Sequence, residues 1–248
     1  MTALIVLAGY LLGSIPFSVL FALLWGRVDL RHIGSGNPGG MNTLRAVGRV
    51  PGIAAVLLDV AKGAGAVLLA KWLLAGDWGP ALAGAAAVLG HCYSAFLILL
   101  FLWERRTGKQ DQLPWWQAQP RLGGKGLASG IGVLLALSLP AFASVIVVYG
   151  LATLVLFLLG IRGSPLVAQG STVALLSAPI FFWAWEQSLP YAIGGLLTAI
   201  VAAIKHVPYL ELGPKWPNAH LERITEPTEP QEEASTGQDQ QGAPPVAQ

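Results

Sequence analysis

Residues 126–161 run for 36 positions without one charged side chain. A soluble domain cannot keep such a stretch off its surface, whereas a bilayer accepts it: about 20 apolar residues rising 1.5 Å each cross a hydrocarbon layer of roughly 30 Å. The pattern recurs along the chain. Residues 2–25 are uncharged, residues 50–74 are apolar apart from Asp59, Lys62 and Lys71, and residues 80–103 hold His91 as their one group titrating near neutral pH. Residues 164–185 and 189–204 follow in the same manner. The 36-residue run is too long for one span and reads as a tight pair turning at Ser138-Leu139-Pro140, which brings the count to seven. Composition agrees, with 54% hydrophobic and 11% charged residues where globular chains average roughly a quarter charged. A cytosolic enzyme, a nucleic-acid reader and a disordered scaffold are poor fits. The expected fold class is an all-α polytopic integral membrane protein of about seven transmembrane helices.

The basic residues set its orientation. Arg27, Arg31, Arg45 and Arg49 follow the first run; Arg105, Arg106, Lys109, Arg121 and Lys125 follow the third; Arg162 follows the fifth, and Lys205 and Lys215 the last. The intervening turns carry Asp77, no charge at Pro140, and Glu186. Lysine and arginine collect on cytoplasmic loops, so this alternation predicts an N-terminus outside and a C-terminus in the cytoplasm. Trp25, Trp72, Trp78, Trp103, Trp183 and Trp185 fall near predicted span ends, where an amphipathic ring is favoured. The first 26 residues have no basic leader and no cleavage pattern, and read as a retained span rather than a signal peptide.

Beyond the spans the character changes. Residues 1–212 carry 13 Lys+Arg against 7 Asp+Glu, and residues 213–248 carry 2 against 6. The expected division is a transmembrane domain over 1–212, a juxtamembrane segment over 213–228, and a disordered acidic tail over 229–248 with too few apolar residues to order it. The single cysteine, Cys92, excludes an internal disulfide and any CxxC motif.

Polar residues gather at few places. The first basic loop contains Gly34-Ser35-Gly36-Asn37-Pro38-Gly39-Gly40-Met41-Asn42 and then Arg45. Glycines allow successive N–H groups to face one concavity, and Ser, Asn and Arg add donors, as a phosphate loop requires; a flexible turn would have a similar composition. Gly123-Gly124-Lys125-Gly126 stands at the start of an uncharged span, where a helix N-terminus and a lysine favour an anion. A positive-inside flank would also use Lys125 but needs no glycines. The spacing is not Gly-x4-Gly-Lys-Ser/Thr. Asp59 and Lys62 lie three apart on one helical face, either as a self-neutralising pair or as part of a polar cavity, since ionisable groups in lipid are costly when unpaired. His91 follows Gly90, and Lys205-His206 ends the last span. Either histidine could be a packed side chain, and no cluster of His, Cys and carboxylates suggests a metal.

These motifs taken in order resemble one family. Gly13-Ser14-Ile15-Pro16-Phe17, the first glycine loop with Asn42 and Arg45, Asp59-x-x-Lys62-Gly63, Gly90-His91, Gly123-Gly124-Lys125-Gly126 and Lys205-His206 are similar to the bacterial acyl-phosphate:glycerol-3-phosphate acyltransferases, over most of residues 1–226. The resemblance implies a seven-span enzyme of the bacterial inner membrane. Its reaction passes an acyl chain from acyl phosphate to the 1-hydroxyl of glycerol 3-phosphate, giving lysophosphatidic acid and phosphate, the first step of phospholipid synthesis. It implies no cofactor, no metal and no nucleic acid. The implied partners are the two substrates, membrane lipid and the enzyme that supplies acyl phosphate. Ser35, Lys125 and His206 become the expected catalytic residues. Gly34, Gly36, Asn37, Asn42, Arg45, Asp59, Lys62, His91, Gly123, Gly124 and Gly126 become the expected substrate-binding residues.

The chain departs from the family pattern at four places. Met41 replaces a threonine, Ser94 stands where a proline follows the Gly-His pair, and Tyr209 stands where an asparagine follows His206. His91 and Lys125 are 34 positions apart, so residues 97–122 read as an insertion. Two other readings stay open: a small transporter of a phosphorylated solute built on Asp59 and Lys62, and an inactive family member.

Overall fold

A computed structural model describes residues 1–109 and 118–206. The juxtamembrane segment, the acidic tail and Tyr209 lie outside the described residues. Those described form ten α-helices joined by short turns: α1 Thr2–Ser14, α2 Phe17–Phe21, α3 Gly40–Val47, α4 Arg49–Leu73, α5 Trp78–Cys92, α6 Ala95–Arg106, α7 Leu127–Leu137, α8 Leu139–Leu158, α9 Gly163–Glu186 and α10 Leu189–His206. A π-helical turn at Ala22–Gly26 and 3-10 turns at Leu30–His32 and Gln119–Leu122 complete them. No strand occurs among the described residues.

Five segments are long and apolar enough to cross a bilayer: Thr2–Gly26, Arg49–Leu73, Trp78–Arg106, Leu139–Leu158 and Leu189–His206. Of the remaining two expected spans, α9 has 24 residues, while α7 has 11 and is about 16 Å long at 1.5 Å per residue. The long uncharged run breaks at Ser138, which is extended between α7 and α8 and whose hydroxyl accepts from the Ala141 N–H to cap α8. The six tryptophans named above are all exposed. Of α8, only Ala141 and Val145 are buried, with Phe142 and Tyr149 packed against the core; Ile146, Val147, Leu151, Leu154, Val155, Phe157 and Leu158 are exposed, as lipid-contacting residues are.

Two expected single spans are broken. The first stops at Ile15-Pro16, because proline has no N–H and its ring disfavours helix in the residue before it. The third stops at Tyr93-Ser94, where Ser94 caps α6 by accepting from the Leu97 N–H. The two breaks meet. The Tyr10 hydroxyl donates to the Tyr93 carbonyl at 2.9 Å, the Ser94 hydroxyl to the Ser14 carbonyl at 2.5 Å, and the Ala95 N–H to Ser14 Oγ at 3.2 Å. Backbone groups freed by a break must find partners inside a membrane, and each break supplies them to the other.

Close approach elsewhere depends on small residues, as in membrane bundles generally. A Cβ at Gly13 or Gly90 would strike backbone across the α1–α5 contact, and one at Gly63 or Gly132 would do so between α4 and α7. The main core, including Val67, Val88, Val133, Leu134, Phe182, Tyr191 and Ala202, lies where α4, α5, α7, α9 and α10 meet.

The connections segregate to two ends. At one end the Ser138 hydroxyl donates to Glu186 at 2.5 Å, the Ser188 hydroxyl to Asp77 at 2.6 Å, and Lys71 Nζ to the Ala136 carbonyl at 2.7 Å. At the other, Arg31 reaches Glu104 and Lys205 Nζ donates to the Gln119 carbonyl at 2.6 Å. The basic first loop, the insertion and the end of α10 therefore share one face of the bundle.

Candidate active site

The second glycine loop meets His91 across a long stretch of chain. After α6 and residues outside the described set, the chain returns to its point of departure. The Ser94 N–H donates to the Leu122 carbonyl and the Gly124 N–H to the His91 carbonyl, both at 2.9 Å. Phe101, Ala118 and Leu122 form a small apolar cluster inside the excursion. The 34 positions between His91 and Lys125 thus close on themselves and leave the histidine and the glycine loop in contact. Neither glycine could be replaced without a shift: a Cβ at Gly123 would strike the Cys92 carbonyl, and one at Gly124 the His91 ring.

Beneath this loop lie the charges of α4. Lys62 Nζ is 2.8 Å from Asp59 Oδ1, and His91 Nδ1 is 3.4 Å from the same oxygen. Lys62 Nζ also donates to the Ile15 carbonyl at 2.7 Å, so the lysine ties the first broken helix to α4. All three side chains are nearly inaccessible, with 2–6% of their surface exposed. Asp59 and Lys62 are therefore a neutralised pair that also borders a cavity. That cavity is small and is lined by Asp59, Lys62, His91, Gly123 and Gly124 together with Ser14 to Ser18, Pro38, Ser94 and Leu97.

The first glycine loop approaches the cavity through Pro38. Gly34 and Gly36 adopt φ +59° and +65°, a left-handed backbone that glycine reaches without strain. Asn42 holds the loop from inside. Its Nδ2 lies 3.3, 2.9 and 3.2 Å from the carbonyls of Leu30, Ile33 and Asn37, and a Cβ on Gly34 would meet its Oδ1. Ser35 Oγ is at the limit of hydrogen bonding to the Asn37 N–H, at 3.5 Å. Asn42 is thus buried architecture within the loop, while Ser35 is half-buried. Met41, in place of the family's threonine, is 60% exposed and points away from the core.

Arg45 on α3 is exposed and Lys125 is half-buried. Burial and the neighbouring guanidinium of Arg45 push the Lys125 ammonium down to about 8. A lysine whose charge is disfavoured by a neighbouring guanidinium marks a place where an anion is favoured. Lys125 is also within Coulombic reach of His206. His206 is buried, and its Nδ1 lies 2.7 Å from the Ala202 carbonyl. A carbonyl only accepts, so Nδ1 carries the proton and Nε2 of the neutral ring is the acceptor. Gly126 at φ +88° begins α7.

The structure thus gathers Asp59, Lys62, His91, Gly123 and Gly124 around one cavity, with Ser35, Asn37, Asn42, Arg45, Lys125 and His206 on the loops and helix ends around it. Ser14, Ser94 and Lys205 were named in the sequence without a role at the site; that of Ser14 and Ser94 arises only from the meeting of two breaks, and the Lys205 ammonium sits 4.6 Å above the Tyr93 ring. Among the described residues no group of three His, Cys, Asp or Glu is placed to hold a metal ion.

An all-helical membrane fold with two glycine loops and a buried charged cluster fits a membrane enzyme, and the comparisons make the class specific. The family model described as glycerol-3-phosphate acyltransferase matches residues 3–211. A glycerol-3-phosphate acyltransferase of Thermosynechococcus vestitus is 34% identical over 234 residues, covering 94% of this chain and 96% of that protein. One from Dinoroseobacter shibae is 37% identical over 185 residues, covering 75% and 76%. The crystal structure of PlsY (YgiH), an integral membrane glycerol 3-phosphate acyltransferase, in its glycerol 3-phosphate form superposes with a TM-score of 0.63 at 28% identity, covering 91% of this chain and 99% of that one. The lysophosphatidic acid form gives 0.62 at 27% identity, with 83% and 87% covered. The chain belongs to the glycerol-3-phosphate acyltransferase family.

Proposed function

We infer that this protein acylates the 1-hydroxyl of glycerol 3-phosphate with acyl phosphate as donor, releasing lysophosphatidic acid and inorganic phosphate in a bacterial inner membrane. The observation that carries the reading is the closure of the insertion, which sets Gly123-Gly124-Lys125 against His91, Asp59 and Lys62. Membership of the family, with relatives named for this acceptor, supports the glycerol 3-phosphate half. The donor is inferred from chemistry: two phosphate-binding loops suit two phosphorylated substrates, and one substrate with an acyl tail suits a site set among lipid-facing helices.

In the proposed reaction Arg45 and Lys125 hold the phosphate of glycerol 3-phosphate, and the glycines of the first loop with Ser35 and Asn37 hold the acyl phosphate. The glycerol hydroxyl attacks the acyl carbon and a C–O bond forms. The bond from that carbon to the bridging phosphate oxygen then breaks, and the hydroxyl proton leaves with the departing phosphate. Loop N–H groups, Ser35 and Lys125 stabilise the charge that develops on the carbonyl oxygen, and His206 Nε2 offers the hydroxyl an acceptor. Holding both substrates supplies much of the rate. Among the described residues lining the cavity, no serine hydroxyl bonds a histidine or a carboxylate, so the reading needs no covalent acyl-enzyme.

The test is phosphate release by purified full-length protein given palmitoyl phosphate and glycerol 3-phosphate, beside Lys125→Ala and a palmitoyl-CoA control. Release that needs both substrates and Lys125, and that palmitoyl-CoA cannot support, is the expected result. Uptake of a phosphorylated solute into proteoliposomes without turnover would replace the reading with transport. Folded protein that binds glycerol 3-phosphate but releases nothing would make it an inactive member.

A further inference from the structure

One ion-pair network joins the insertion to the first glycine loop. Arg31, in the 3-10 turn Leu30–His32, donates from Nη1 to Glu104 Oε2 at 2.9 Å and from Nη2 to Oε1 at 2.6 Å. Its Nε and Nη2 donate to the Asp29 carboxylate at 3.0 and 2.5 Å. The two principal side chains are largely withdrawn from solvent, 6% exposed for Arg31 and 14% for Glu104. Burial works against the guanidinium's charge, but the two carboxylates more than offset it and hold Arg31 above its ordinary value. A fork-to-fork contact of this kind fixes direction as well as distance.

Its position gives it a consequence for the site. Arg31 lies between Leu30 and Ile33, whose carbonyls both accept from Asn42 Nδ2. The 30–33 turn is therefore held from inside by Asn42 and from outside by Arg31, and the glycine segment 34–39 hangs between the turn and α3. Glu104 lies on α6, within the 97–122 insertion. That helix is anchored independently by Leu97 and Phe101, which are buried, and by the Ser94 contacts to Leu122 and Ser14.

We propose that Glu104 of the insertion is a positioning residue of the acyltransferase site: through Arg31 it clamps the 30–42 loop and so sets α3 and Arg45 for the phosphate of glycerol 3-phosphate. Helix α6 is then a brace for a glycine-rich loop. The inference rests on the acyl-transfer reading above. Glu104 touches no substrate in it, so its removal should loosen binding more than it slows chemistry.

The test compares wild type, Glu104→Gln and Glu104→Asp as full-length purified proteins. In Glu104→Gln the KM for glycerol 3-phosphate should rise about five- to tenfold with kcat within about twofold, the mark of lost preorganised binding. Glu104→Asp, which keeps the charge, should recover most of the loss. Amide hydrogen exchange across residues 33–42 should quicken in Glu104→Gln and slow again in Glu104→Asp. An unchanged KM with unchanged exchange overturns the proposal, as does a fall in kcat and thermal stability together that Glu104→Asp does not rescue. If wild type releases no phosphate, the acyl-transfer reading fails by itself; the exchange arm still decides whether Glu104 orders the loop.

Discussion

Lys125 is the residue whose chemistry carries the most direct pH signature. Burial and Arg45 lower its ammonium to about 8 from an ordinary 10.5, so the free protein loses that charge as pH rises through 8. The kcat/KM for glycerol 3-phosphate should then fall above about pH 8, because this parameter reports groups of the free enzyme. Lys125→Arg keeps its charge to far higher pH and should move the fall upward; a break that stays in place in this variant would belong to another group. The sign for stability is opposite. Between about 8 and 10.5 the unfolded chain binds the proton that the folded one has released, so this group favours folding increasingly as pH rises across that window. Lys125 was legible from sequence because a lysine among three glycines is unusual at a span start. Its lowered pKa was not, since that depends first on burial in the fold and then on Arg45, 80 positions earlier in the chain.

Among the elements, the broken helices show why a local departure from a family pattern can be neutral or even required. Ser94 replaces the expected proline, and its φ of −65° is one that proline shares. Ring geometry therefore does not exclude proline. The serine N–H, however, donates to Leu122 and closes the insertion, while its hydroxyl caps α6 and reaches Ser14. Ser94→Pro would lose all of these, and Ser94→Ala only the hydroxyl contacts, worth about 1–2 kcal/mol together. Thermal unfolding in detergent should rank wild type above Ser94→Ala and Ser94→Ala above Ser94→Pro; equal stability for the two variants would remove the role assigned to the N–H. Hydropathy could not reveal either break, because a serine or one proline inside 25 apolar residues hardly changes a window average.

At the scale of the whole molecule, the turns near Asp77, Ser138 and Glu186 gather at one end and the basic loops at the other. With an outside N-terminus, the first group faces the periplasm. Cys92 is buried and gives a quiet background for single added cysteines. Gly76→Cys should react with an impermeant maleimide added to intact cells, and Arg49→Cys only after permeabilisation; the reverse pattern would invert the proposed topology.

What the chain determines locally was readable from its sequence: membrane residence, the helical class, and the identity of the polar motifs. Each depends on composition within a span or a loop, and the bilayer allows few folds for such composition. Which motifs meet was decided only by tertiary structure. Asp59 and Lys62 share a helix face by spacing alone, but their contact with Ile15 and His91 depends on how α1, α4 and α5 pack. The insertion looked like an obstacle between His91 and Lys125 because sequence distance says nothing about closure. Two hydrogen bonds at its neck, Ser94 to Leu122 and Gly124 to His91, keep the site together, and Glu104 reaches Arg31 because the excursion folds back over the first loop.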